Sequence, residues 1–196
     1  MIINNSEPTI TNNLFYRNSI AIKIEGNQNS PQISNNIFEE DTYAPVQLAL
    51  GSTPVFSGNI YTNNALSGIA IASRTYSDPT YQLSLTSIAG LTNIPYIIGD
   101  DLTISASSTL TIDPGVVIKF TEAFNSKFNV NGTLIAQGTE EQPIVFTEID
   151  DDEFGGDTNN NGDATVPQAG NWEGIVVNES SGSSTLIDNC LIRYGG

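Results

Sequence analysis

Apolar and polar positions alternate in short runs along this chain, and no stretch repeats its apolar residues with the period of a helix. One eight-residue phrase, with Pro at its first position and Asn at its sixth, occurs at residues 8–15, 31–38 and 54–61. Each copy begins 23 residues after the one before, at Pro8, Pro31 and Pro54. Short alternations repeated at this interval predict a solenoid of stacked strands.

Stacked coils would place each apolar position directly over its counterpart one turn away. The phrase then predicts two interior columns, and the alternating residues after it predict a third side. The first column is Ile10, Ile33 and Phe56, the second is Phe15, Phe38 and Tyr61, and the third side carries Ile22 with Ile24, Val46 with Leu48, and Ile69 with Ile71.

The Asn of the phrase falls between the first two columns, at Asn13, Asn36 and Asn59. Amides stacked at the strand spacing of about 4.8 Å can donate to one neighbour and accept from the other, so we expect a buried ladder. A second set at the same interval contains Asn18, Asp41 and Asn64. That set could equally be three solvated turn residues.

These phrases resemble the coils of right-handed parallel β-helix proteins, the superfamily that includes pectate lyases. The resemblance implies an all-β fold with three strands per coil and 23–24 residues per coil. We divide the chain into three regular coils (1–72), a connector without the phrase (73–96) and further coils (97–196). The connector could be stacked into one solenoid or lie outside it, and two short solenoids are the alternative.

A different phrase repeats in the last part, at residues 108–110, 132–134 and 184–186. With the Asp113-Pro114-Gly115 turn and the closing Ile192-Arg193-Tyr194-Gly195-Gly196 run, it resembles the repeat regions of large bacterial surface and secreted proteins. The resemblance implies an extracellular or cell-surface location, for a segment of a longer protein whose signal lies outside this sequence.

The charge balance narrows the range of partners. Asp and Glu total 22 against 6 Lys and Arg, which gives a formal net charge of -16. Such a surface repels nucleic acid and anionic lipid, and no apolar run is long enough to insert into a membrane. Cys190 is the single cysteine and His is absent, so neither an internal disulfide nor a Cys–His nucleophile can form.

A polar insertion at 148–171 interrupts the later coils and suggests a metal site. Oxygen-bearing side chains stand at alternate positions of its centre, and Gly162 follows as the sixth residue, as in the first half of an EF-hand loop. We expect a structural Ca²⁺ ion here, and a solvated acidic loop is the competing interpretation. The predicted ligands are Asp157, Asn159, Asn161 and Asp163, helped by Asp150, Asp151 and Asp152.

Lyase or hydrolase chemistry is poorly supported. The six basic residues are scattered, and the adjacent carboxylates in the sequence would point to opposite faces of a strand. The sequence therefore favours a non-catalytic structural or adhesion module and leaves a carbohydrate-active fragment, either polysaccharide lyase-like or glycan-binding, as the alternative. Partners would be a polysaccharide or a host or neighbouring cell surface, with Trp172 as a glycan contact or as packing, and open coil ends would favour end-to-end self-association.

Overall fold

The structure is a computed structural model that describes residues 1–26, 28–121, 126–178 and 184–196. This described part forms 22 short strands and one 3-10 helix, Gly162–Ala164. It contains no helix that is long and apolar enough to cross a membrane. The strands in chain order are β1 (Ile2–Asn4), β2 (Thr9–Thr11), β3 (Leu14–Tyr16), β4 (Ile22–Glu25), β5 (Gln32–Ser34), β6 (Ile37–Glu39), β7 (Val46–Leu48), β8 (Val55–Ser57), β9 (Ile60–Thr62), β10 (Ile69–Ile71), β11 (Thr75–Tyr76), β12 (Thr80–Leu83), β13 (Tyr96–Ile98), β14 (Leu102–Ile104), β15 (Thr109–Ile112), β16 (Val117–Phe120), β17 (Lys127–Val130), β18 (Thr133–Gln137), β19 (Ile144–Glu148), β20 (Gly174–Val177), β21 (Leu186–Asp188) and β22 (Cys190–Ile192).

One long parallel sheet joins every part of the solenoid, in the order β1-β4-β7-β10-β13-β16-β19-β22. The other two sides change near the middle of the chain. The first coils contribute the three-stranded sheets β2-β5-β8 and β3-β6-β9, and the later coils contribute the four-stranded sheets β11-β14-β17-β20 and β12-β15-β18-β21. The all-β fold with three strands per coil is thus confirmed, as a single solenoid.

The predicted columns agree with the pairing of residues between adjacent strands in the structure. Ile10 pairs with Ile33 and Ile33 with Phe56, while Phe15 pairs with Phe38 and Phe38 with Tyr61. The Phe15 and Phe38 rings stack with their centroids 5.0 Å apart. Inward residues of successive coils therefore pack on one another, and the burial of their apolar surface stabilises the stack.

The stretch predicted as a connector contributes two strands to the solenoid. β11 pairs with β14, and β12 pairs with β15, so residues 75–76 and 80–83 begin the two four-stranded sheets. Tyr76, Tyr81 and Leu83 are buried in the main core. The remaining residues up to Pro95 form the longer connection that leads back to the long sheet at β13.

Left-handed backbone conformations form the corners of the first coils. Asn12, Asn35 and Gly58 have φ values of 58°, 55° and 61°, and each directly precedes an Asn of the ladder. Asn and Gly adopt this conformation more readily than other residues, which explains their recurrence in the phrase. The corner turns the chain sharply between two strands and aims the next side chain into the stack.

Candidate functional site

The Asn side chains of the phrase form a hydrogen-bonded ladder between the first two columns. The Asn13 side-chain amide donates to Asn36 Oδ1 at 3.0 Å, and the Asn36 amide donates to Asn59 Oδ1 at 3.2 Å. Asn36 Nδ2 also donates to the carbonyl of Ile10 at 2.9 Å. Asn36 is fully buried, so these bonds satisfy an amide that has no access to water.

The second set of side chains is also a ladder, but its middle member carries a carboxylate. Asp41 Oδ1 accepts from the backbone N–H of Asn18 at 2.8 Å and from the Asn18 amide at 3.0 Å. Asp41 is 1% exposed, and its Oδ2 is buried without a hydrogen-bond partner. Burial raises the pKa of Asp41, and the bonds from Asn18 oppose that rise.

The acidic loop, which is the polar insertion at 148–171, lies across the outer face of the long sheet. Ala70 and Ile97, at the centres of β10 and β13, form a small apolar cluster with Ile149 on the side opposite the main core. Next along the same outward column is Lys119, which is fully buried and donates to the carbonyl of Gly156 at 2.7 Å. Burial lowers the pKa of Lys119 to about 8, although the nearby carboxylates Asp152 and Asp151 oppose the change.

The middle of the loop reaches back to the corner that precedes β10. The backbone N–H of Ser67 donates to the carbonyl of Thr158 at 2.7 Å, and Ser67 Oγ donates to Asn160 Oδ1 at 3.0 Å. Asn160 Nδ2 donates to the carbonyl of Asn64 at 2.8 Å. The loop is therefore fixed at its middle as well as at its two ends.

The alternating oxygens at the centre of the loop have separate partners. Asp157 accepts from the backbone N–H groups of Asn161 and Gly162, at 3.1 and 2.9 Å, and so closes the turn before the 3-10 helix. Asn161 Nδ2 donates to Thr165 Oγ1 at 2.7 Å. Asp163 is exposed within that helix. The hydrogen bonds of Asp157 and Asn161 therefore stay within the loop, and both Asp157 and Asp163 lie within electrostatic range of Asp152.

The three consecutive aspartates also separate. Asp150 accepts a short hydrogen bond from the Asn159 amide, which does bring two predicted ligands together. Asp151 accepts from Thr147 Oγ1 and lies 3.4 Å from Nη1 of Arg193. Most of Asp152 is exposed, but partial desolvation of its carboxylate, together with the charge of Asp157, raises its pKa. Among the described residues, no group of three Asp, Glu, Cys or His side chains is arranged to hold a metal ion.

Glu148 is the residue of this region that sequence reasoning missed. It pairs with Phe120, which pairs with Ile98, so it stands in an inward column whose earlier members are apolar. Glu148 is fully buried; its Oε1 accepts from Asn171 Nδ2 at 3.0 Å, and its Oε2 has no hydrogen-bond partner. Burial raises the pKa of Glu148 to about 7, and the charge of Asp150 adds to the rise. Ile144 and Phe146 point inward, and Glu148 is the next residue in the same alternation. That alternation is the sequence signal that could have predicted the inward position of Glu148.

Trp172 cannot be a glycan contact, because its side chain is fully buried. Its ring stacks on Phe120 with the centroids 4.1 Å apart and the planes 3° from parallel. Its Nε1 donates to the carbonyl of Arg193 at 2.9 Å. The side chain therefore packs the base of the loop into the core, which is the second of the two roles considered for it.

A shallow groove follows the side of the solenoid where the sheets change. It encloses about 340 Å³. Its lining is uncharged and capable of hydrogen bonding, with Gln28, Thr53, Thr80, Tyr81, Gln82 and Thr111. The chemistry of this surface suits a neutral polar ligand better than an ion.

The comparisons with known proteins identify the fold. Residues 1–82 match the family model described as right handed beta helix region. The same parallel stacking continues through the described residues beyond 82, so the match and the fold together support a right-handed β-helix superfamily. No curated protein and no solved structure matches the chain. Because many unrelated functions occur on this scaffold, the match defines the architecture alone.

Proposed function

We propose that this chain is a non-catalytic structural or adhesion module of a larger bacterial surface protein, located outside the cell. The observation that carries the proposal is the continuous long sheet, whose eight strands link the first described coil to the last. Each coil contacts only its neighbours along the stack, so the architecture forms a rigid spacer that can be lengthened by adding coils.

The arrangement of the basic residues supports this role over lyase chemistry. Arg17 is paired with Glu40 at 2.6 Å, Lys127 with Glu173 at 2.9 Å, and Arg193 with Glu153 at 2.6 Å. Lys119 lies beneath the loop. A basic group that removes a proton from a uronate must reach the substrate together with groups that bind the acid, and these pairs lie on different parts of the solenoid.

Calcium binding by the acidic loop forms part of the same proposal. Asp157, Asn159, Asn161 and Asp163, with Asp150 to Asp152, supply hard oxygen ligands of the kind that Ca²⁺ prefers. A bound ion would hold the loop against the outer face of the long sheet. Calcium would then act structurally, by stabilising the folded module.

Glycan binding is the second candidate function, and the uncharged groove at Gln28, Thr80 and Gln82 favours it. Amide and hydroxyl groups can donate to and accept from the hydroxyls of a neutral sugar. A polysaccharide or a host or neighbouring cell surface would supply such a ligand.

A glycan array probed with the purified chain tests these alternatives. If the chain is only a structural spacer, no specific binding is expected. Reproducible binding that is lost in Gln82→Ala would assign a glycan-binding role to the groove. The matched exposed variant Gln137→Ala should keep that binding. Incubation with uronate polymers is the companion assay. Release of unsaturated or reducing sugar would overturn the non-catalytic role.

A further inference from the structure

Two buried oxygen atoms at the base of the acidic loop have no hydrogen-bond partner, and each belongs to a side chain that interacts with Asp150. They are Oε2 of Glu148 and Oδ1 of Asn159. Burying an acceptor without a partner destabilises the folded state, and the penalty is larger for a charged group than for a neutral one. Two such atoms beside a second carboxylate, that of Asp150, indicate a site that is completed by something other than the protein.

Among the described residues, no basic side chain donates to an oxygen of this cluster, although Lys119 lies within electrostatic range of Glu148. The Lys119 ammonium donates to the Gly156 carbonyl, and Arg193 pairs with Glu153 and Asp151. Asn171 satisfies only the other oxygen of Glu148. The carboxyl groups of Glu148 and Asp150 and the amide oxygen of Asn159 form a set of hard oxygen ligands, which matches the ligand preference of Ca²⁺.

We infer that Glu148, Asp150 and Asn159 bind a Ca²⁺ ion at the base of the acidic loop. The ion joins the end of β19 to the middle of the loop, and Asn171 holds Glu148 in place from the other end. This inference deepens the calcium part of the proposed function and rests on it. It assigns the ion to Glu148, which the alternating pattern does not contain, and it leaves Asp163 outside the site.

Thermal unfolding in millimolar CaCl₂ and in EDTA provides the first measurement. Calcium at about 100 times its Kd should raise the Tm by about 5–10 °C. The shift should disappear in Glu148→Gln and in Asp150→Asn, and it should persist in Glu7→Gln, an exposed acid outside the loop with the same change of charge.

Terbium luminescence gives a second measurement that does not depend on the stability of the variants. Trp172 is the only tryptophan, and it follows Asn171, which contacts Glu148. Tb³⁺ at this site should emit on excitation of Trp172, and Ca²⁺ should displace it. Glu148→Gln should lose this signal, whereas Glu7→Gln should keep it.

The outcomes separate this site from the wider proposal. A calcium response that survives Glu148→Gln but is lost in Asp163→Asn would overturn the assignment to Glu148 and keep calcium in the loop. Equal melting temperatures with calcium and EDTA, together with no terbium signal, would remove both calcium statements. The structural role of the solenoid would then still depend on the glycan and uronate assays.

Discussion

Replacing Asp41 by Asn should stabilise the protein at neutral pH. Asp41 holds the middle position of the second ladder, and its Oδ2 is a buried acceptor that has no partner. At Asn36 of the first ladder and at Asn64 of the second, the equivalent atom is an amide nitrogen that donates to a carbonyl 26 residues earlier in the chain, at Ile10 and Phe38. An Asn at position 41 would place the same donor against the carbonyl of Phe15.

The size of the effect follows from the environment of that one atom. The substitution removes a buried unpaired carboxylate oxygen and adds a hydrogen bond, which together should raise the free energy of unfolding by about 1–3 kcal/mol. The bonds that Oδ1 accepts from Asn18 are kept, because the amide oxygen occupies the same position. For a domain of this size each kcal/mol corresponds to a Tm increase of about 2–4 °C.

The gain should depend on pH. Burial raises the pKa of Asp41 above its ordinary value of 3.8, so the ionised form favours the unfolded state. That destabilisation is fully present above the raised folded-state pKa, decreases as the pH falls through it, and is absent below the unfolded-state pKa. The advantage of Asp41→Asn over the parent should therefore be largest near pH 7 and decrease towards pH 4.

Chemical denaturation of the parent and Asp41→Asn between pH 4 and 7 measures both effects. Glu7→Gln serves as the control for the change in net charge, since Glu7 is exposed and should have almost no effect. If Asp41→Asn is no more stable than the parent at pH 7, the unpaired oxygen carries no penalty and the reasoning fails. A difference that stays constant with pH would contradict the assigned ionisation.

Three further substitutions test other contacts of the solenoid. Asn36→Leu should lower the free energy of unfolding by about 1–3 kcal/mol, because both neighbouring amides lose a partner, and an unchanged denaturation midpoint would contradict the ladder. Trp172→Ala should lower the free energy of unfolding by about 3–5 kcal/mol, because the ring stacked on Phe120 is lost. Trp172→Phe should recover much of that loss. Equal melting temperatures of the Ala variant and the parent would refute the packing role. Lys119→Met removes the bond to the Gly156 carbonyl and should accelerate proteolysis within residues 150–165, and an unchanged cleavage pattern would show that other contacts hold the loop.

The periodic part of this structure was readable from the sequence. A stacked coil repeats its environment at a constant interval, so the positions of Ile10, Ile33 and Phe56 in one column follow from their spacing alone. The same interval connects Asn13, Asn36 and Asn59, whose hydrogen bonds run between adjacent coils. Spacing could also place Asp41 beside Asn18, but it could not decide whether that side chain was buried.

The path of the acidic loop was decided only by tertiary structure. Its middle contacts Ser67 and Asn64 across 93 and 96 residues, and a single, non-repeated contact of that kind leaves no periodic signal. The polar composition of the loop suggested ligands among its own alternating residues, whereas its base meets the buried Glu148 at the end of an apolar strand. The sequence repeat was enough to predict the coils, because each residue there packs against its own counterpart in the next coil. The loop packs against unlike residues, and which residues these are depends on where the folded chain places the loop.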